Sequence, residues 1–185
     1  PLNSFLPADS LGIVDMTLQA RGTGFDPLQP RTRTSLRAQI DRAEFGGRDF
    51  GGIELDAELD SQRLSGRISD RDEALRLLLS VSGTLTEREQ RIGLSGSVFG
   101  FDLAALGVSP EPIGGSFALD ASASAAGKGA YAARIALDSI EIRNKHRTDR
   151  IRPTSVSLHT DSAATRAEAA SGDLSLTFST PQSPD

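Results

Sequence analysis

Cysteine and tryptophan are absent from the 185 residues, and tyrosine and methionine occur once each, as Tyr131 and Met16. Without cysteine there is no disulfide framework, no thiolate metal site and no thiol nucleophile. A chain in an oxidising compartment does not require disulfides, so the absence still fits a secreted location. Aromatic residues make up only 5% of the chain, which leaves few rings for the platforms of a sugar-binding surface. No apolar run reaches the ~20 residues of a membrane-spanning helix, and no signal-peptide pattern is present. The formal net charge is −5, with both signs scattered singly. That pattern gives no basic stripe to meet the phosphates of a nucleic acid. The opening Pro1-Leu2-Asn3-Ser4 has no initiator Met. The expectation is one segment, residues 1–185, cut from a longer repetitive β structure, with any membrane anchor outside it.

What the chain has in abundance is alternation of apolar and polar residues, the period of a strand with one dry face. It begins at Val14-Asp15-Met16-Thr17-Leu18 and returns at Leu36-Arg37-Ala38-Gln39-Ile40, Ile53 to Asp60 and Leu64 to Ser69. A longer, more apolar run covers Leu75 to Leu85, and Ile92 to Val98 follows. The second half repeats the theme at Phe117 to Ala123, Tyr131 to Leu137, Val156 to His159 and Leu174 to Ser179. Roughly ten strands are expected.

Turn signals stand at Gly22-Thr23-Gly24, Gly46-Gly47, Gly51-Gly52, Asp60-Ser61, Asp70 to Glu73, Gly114-Gly115 and Gly127-Lys128-Gly129. Connections this short make neighbours pair antiparallel, since a parallel pair needs a long crossover. The alternation slips phase at Arg42-Ala43 and at Asp138-Ser139-Ile140, and each slip reads as a bulge. Asp102-Leu103-Ala104-Ala105-Leu106-Gly107 carries an N-cap residue, helical apolar spacing and a terminal glycine, so it predicts one short helix. Asp161 to Ala170 is alanine-rich, but the alternation of Thr165, Ala167 and Ala169 favours loop plus strand.

Such strands must hide one face. A closed barrel or a two-sheet sandwich does so by interdigitating its own side chains. A curled, mostly antiparallel sheet forming an open trough does so by holding a guest. Small residues at Ala121, Ala123, Gly93 and Gly96 leave space that a filled core would occupy, which favours the trough.

Several phrases, in order, resemble the repetitive periplasmic region of AsmA/TamB-like proteins of Gram-negative bacteria, especially those of the Bacteroidetes. Phe45 to Asp60 is similar to their unit of aromatic, turn, aromatic, then alternating strand. Leu64-Ser65-Gly66-Arg67-Ile68-Ser69-Asp70-Arg71-Asp72 is similar to their hairpin phrase, Phe101 to Gly107 to their Asp-Leu-Ala-Ala-Leu element, and Ser171 to Phe178 to their closing strand. The similarity runs from about Leu11 to Phe178.

The resemblance implies an all-β trough (a β-taco) in the periplasm, in a parent chain anchored in the inner membrane. It implies phospholipid transport, with phospholipid acyl chains as the guest, and outer-membrane and protein assembly with a TamA-like outer-membrane β-barrel as partner. It carries over no catalytic residues, and no enzyme activity, cofactor, metal or nucleic acid is expected. The positions carried over as groove lining are Val14, Met16, Leu18, Leu36, Ile40, Ile53, Leu55, Leu59, Leu64, Ile68, Leu75, Leu77, Leu79, Ile92, Leu94, Phe117, Leu119, Ile135, Leu137, Val156, Leu158, Leu174, Leu176 and Phe178. The alternative from another class is a structural or adhesive cell-envelope β module with a filled core.

Other constellations carry less. His146 and His159 lack the acidic or thiolate companions of a metal site. Asp70-Arg71-Asp72-Glu73 lacks the glycine spacing of a calcium loop and reads as a solvated turn. Gly127-Lys128-Gly129 lacks the Ser or Thr of a phosphate loop, and Gly93-Leu94-Ser95-Gly96 is no Gly-x-Ser-x-Gly elbow. Asp56 and Glu58 fall on the polar phase of one strand. The basic run Arg143 to Arg150 reads as a solvated hairpin tip, with contact to lipid headgroups as the competing role.

Overall fold

The computed structural model describes residues 11–24, 26–45, 48–127, 129–161 and 164–181. The signals at Gly46-Gly47 and at Lys128 lie outside the described residues. Thirteen strands form one sheet. They are β1 (Leu11–Thr23), β2 (Arg33–Phe45), β3 (Arg48–Phe50), β4 (Ile53–Asp60), β5 (Arg63–Arg71), β6 (Leu75–Leu85) and β7 (Glu89–Asp102). They continue as β8 (Gly114–Ala126), β9 (Ala130–Arg143), β10 (Thr148–Ile151), β11 (Thr154–Thr160), β12 (Ala164–Ser171) and β13 (Leu174–Pro181).

The lateral order is β1-β2-β4-β5-β6-β7-β8-β9-β11-β12-β13, and every pairing is antiparallel. Two short strands lie off this path, β3 beside the far end of β2 and β10 beside the far end of β9. β3 and β4 thus act as one interrupted strand, broken at Gly51-Gly52, where Gly52 takes a φ of 82°. The sheet is not closed into a barrel: β1 and β13 are its two edges.

The expected strands all form, including β12 in the ambiguous alanine-rich stretch. Both phase slips are irregularities of register. Between Asp15 and Met16 the partner in β2 jumps from Arg42 to Ile40, so Asp41 is the extra residue and Ala43 returns to the phase of Ile40. In β9, Ser139 takes a φ of 51°, and the register shift restores Ile140 and Ile142 to the phase of Leu137. A third slip, at Phe99 in β7, was not expected. It lets both Val98 and Phe101 share one face, opposite Leu77 and Leu75.

Four expectations fail. Residues 102–107 are not a helix, and no helix occurs among the described residues. Asp102 Oδ1 does accept the Ala104 and Ala105 amides, at 2.8 and 3.1 Å, and Leu106 N donates to Asp102 O. One such turn is a nucleus without propagation, and Gly107 ends it at a φ of 74°. Gly114-Gly115 is not a turn but the start of β8. The Phe101 ring packs so closely there that a Cβ on Gly115 would lie 2.9 Å from it, and Phe101 and Phe117 stack tilted at 6.2 Å. Gly93 pairs with Ser82, on the polar phase, so it opens no space on the apolar one.

The fourth failure is Asp70. It belongs to β5 and is 5% exposed, so it is not part of a solvated turn. The turn begins after it: Asp72 N donates to Asp70 Oδ1 at 2.8 Å and Ala74 N to Asp72 Oδ1 at 2.7 Å. Burial pushes the Asp70 carboxyl upward from its ordinary value, against the backbone N–H groups of Asp72 and Arg71 that favour its charged form. The folded chain therefore holds this proton more tightly than the unfolded chain does. The resulting stability is present below the ordinary carboxylate pKa and is lost as pH rises through the raised one. Asp70→Asn, which keeps an oxygen for the Asp72 amide, is expected to raise the urea midpoint relative to the parent at about pH 7 and not at about pH 3. Equal differences at both pH values in urea titrations would contradict the assignment.

Candidate functional site

Directly opposed residues of an antiparallel pair lie on the same face, so the register tells which side chains share a surface. One lateral row reads Ala20, Leu36, Ala57, Gly66, Val81, Leu94, Ala121, Ile135, Val156, Ala169, Leu176. It crosses all eleven strands of the main path without a polar side chain. At about 4.8 Å per strand spacing, such a row is roughly 48 Å long.

On one side of it runs Leu18, Ala38, Leu55, Ile68, Leu79, Gly96, Leu119, Leu137, then Thr154, Ser171 and Leu174. On the other side runs Leu59, Leu64, Gly83, Ile92, Ala123, Ala133, Leu158, Ala167, Phe178. Beyond the Leu18 row, Met16, Ile40 and Ile53 align at one end, and Leu77, Val98 and Phe117 in the middle. Val14 and Leu75 face Ala43 and Phe101 in the same phase. Every residue expected from sequence to line a groove therefore falls on one face. The apolar band runs across the strands, from one edge of the sheet to the other.

This face is not filled by a second layer. The buried apolar residues are Leu79, Val98 and Ile140, at 9, 7 and 8% exposure, and none of the described side chains is below 2%. Met16, Leu18, Ile92, Ile135, Val156 and Leu158 are exposed. The opposite face is polar and cross-linked. Arg37 and Arg33 of β2 reach Asp56 and Asp60 of β4 at 2.6 and 2.8 Å, and Glu58 opposes Ser35. The Ser61 hydroxyl and the Arg33 guanidinium hold the Asp60 carboxyl below its ordinary range.

A concavity of about 930 Å³ spans β5, β6, β7, β8, β9 and β11. One row of its lining, Leu64, Gly83, Ile92, Ala123, Ala133 and Leu158, is of the apolar phase. The other two rows, which include Arg63, Arg91, Arg134 and His159 and no carboxylate, are of the opposite phase, so the concavity belongs to the polar face and is not a groove of the apolar one.

The remaining candidates stay apart. His159 Nε2 lies 3.7 Å from Asp161 Oδ2, whereas His146 sits in the β9–β10 connection, its amide donating to Asn144 Oδ1 at 2.9 Å. Among the described residues no three His, Asp or Glu side chains are placed to hold a metal ion. The basic run is tied to neighbouring carboxylates, Arg147 to Asp149 at 2.7 Å and Arg143 and Arg150 to Glu141 at 3.7 and 3.8 Å. The small residues of the rows, such as Ala20, Ala38, Ala57, Gly66, Ala167 and Ala169, were missed as lining. Their signal was the same alternation, muted because Ala and Gly weigh little in an apolar pattern.

No family model matches the chain, and no curated protein and no solved structure matches it. No helix among the described residues is long and apolar enough to cross a membrane.

Proposed function

We propose that this chain is a periplasmic lipid conduit: a curled open trough that carries phospholipid acyl chains along its apolar face, in the manner of the AsmA/TamB-like proteins it resembles. One observation carries the reading, the uninterrupted row from Ala20 to Leu176 on a face with almost no filled core. A cell-envelope module with a packed interior would hide these side chains; here they are half-buried or exposed.

The chemistry suits sliding rather than capture. Each lipid CH₂ taken out of water onto such a surface gains about 0.8 kcal/mol. Because Ala, Gly, Val, Ile and Leu follow one another along the row, neighbouring positions offer a tail similar contacts, and no deep minimum holds it. In this reading the parent protein is anchored in the inner membrane. It passes phospholipid toward the outer membrane and works with a TamA-like β-barrel in assembly.

The test is native mass spectrometry and solvent extraction of the protein purified without detergent. Phospholipid or fatty acid recovered in proportion to protein is the expected result. Lipid-free protein that melts at high temperature in one sharp transition would overturn the reading.

A further inference from the structure

The two edges of the sheet are built differently. β1 carries Asp15 and Arg21, and its pairing with β2 is broken by register shifts. Charge and irregularity are the ordinary ways to keep an edge from recruiting another strand. β13 has neither. Leu174-Ser175-Leu176-Thr177-Phe178-Ser179-Thr180 pairs with β12 in unbroken register. Only β11 and β13 of the thirteen strands lack Asp, Glu, Lys and Arg, and β11 is covered on both sides by β9 and β12. From Leu174 to Thr180, short of the Pro181 that ends it, β13 thus has the composition of an interior strand at an open edge. Its apolar residues are among the most exposed of the described chain, Leu174 at 78%, Leu176 at 57% and Phe178 at 62%.

We propose that β13 pairs antiparallel with β13 of a second copy of this chain, about a two-fold axis through Thr177. The strand is self-complementary in that register. Leu176 meets the partner copy's aromatic at position 178, residue 174 meets 180, 175 meets 179, and Thr177 meets its own counterpart. Each pair joins positions of equal parity, so the apolar phase of one copy continues into that of the other, and hydroxyl faces hydroxyl. No charge is brought against a like charge, because the strand has none. Pairing β13 with β1 instead would leave a free β13 at every step and build an open filament, whereas the two-fold arrangement closes. The dimer joins two apolar bands into one of twice the length. This goes beyond the proposed transport role and stands or falls separately from it.

Sedimentation velocity over a concentration series is the test. The parent chain is expected as a dimer. Thr177→Lys and Thr177→Glu each set two like charges face to face at the axis, and each alone should sediment as monomer. Mixed in equal amounts, the two variants should recover the dimer. Circular dichroism verifies that both variants keep the sheet, which is expected for an exposed polar position at an edge. A parent that stays monomeric, a ladder of higher species, or a dimer that survives both substitutions would each overturn the two-fold pairing. So would folded variants that fail to recover the dimer on mixing. Lipid recovered from a monomeric parent would sink the dimer and leave the transport reading standing.

Discussion

Leu79→Glu is expected to unfold the sheet. Leu79 sits in the most buried part of the apolar face, between Ile68 of β5 and Gly96 of β7 in its row. A carboxylate there, at a position only 9% exposed, is held largely out of water. Keeping the charge costs several kcal/mol, and neutralising it still leaves a polar group without its hydrogen bonds. A loss of that size is a large share of the stability of any domain. The strand signal in circular dichroism should be lost, or its melting midpoint fall by ten degrees or more, since each ~1 kcal/mol is worth about 2–4 °C for a chain of this length. A variant that melts like the parent would mean that the middle of the band is open to water.

The same substitution at Leu158 should do the opposite to the fold and more to the guest. Leu158 lies on the apolar face but is 43% exposed, flanked in its row by Ala133 and Ala167. A glutamate there can lay its stem on the small neighbours and put its head in water. The melting midpoint is expected to stay within a few degrees of the parent. Lipid retained through purification should drop about tenfold or more, equivalent to ~1.4 kcal/mol, because an acyl chain passing this point would have to strip water from a charge. Unchanged lipid content in a folded Leu158→Glu protein would remove the apolar band from the transport path. Read together, the pair separates a face that supports the fold from a face that serves a guest.

Most of the band was legible because period-two alternation survives along each strand, and bulges announce themselves as slips in that period. The slips near Arg42 and Ser139 were visible since charged or hydroxyl residues would otherwise have turned inward. The slip at Phe99 was not, because Val98, Phe99 and Phe101 are all apolar and either phase reads well. Asp70 was misread for a related reason. Asp-Arg-Asp-Glu has the composition of a turn, yet the strand extends through its first two residues, and only the fold puts Asp70 opposite Leu77. The 102–107 loop shows the limit of local signals: the cap and the terminal glycine are both used, but one turn is too short to propagate a helix. What sequence could not supply was lateral alignment. The eleven-residue row exists only because ten separate pairings happen to agree in phase.

The meander has one further consequence. Among the described residues, extensive contact is confined to hydrogen-bonded neighbours. Folding energy in such an array is summed link by link rather than shared by a common centre. Fraying should therefore travel inward from the two outermost hairpins, and the central links around β6, β7 and β8 should exchange their amides last. Length becomes an adjustable parameter: a hairpin gained or lost at an end alters reach by one step and costs only the single junction it makes.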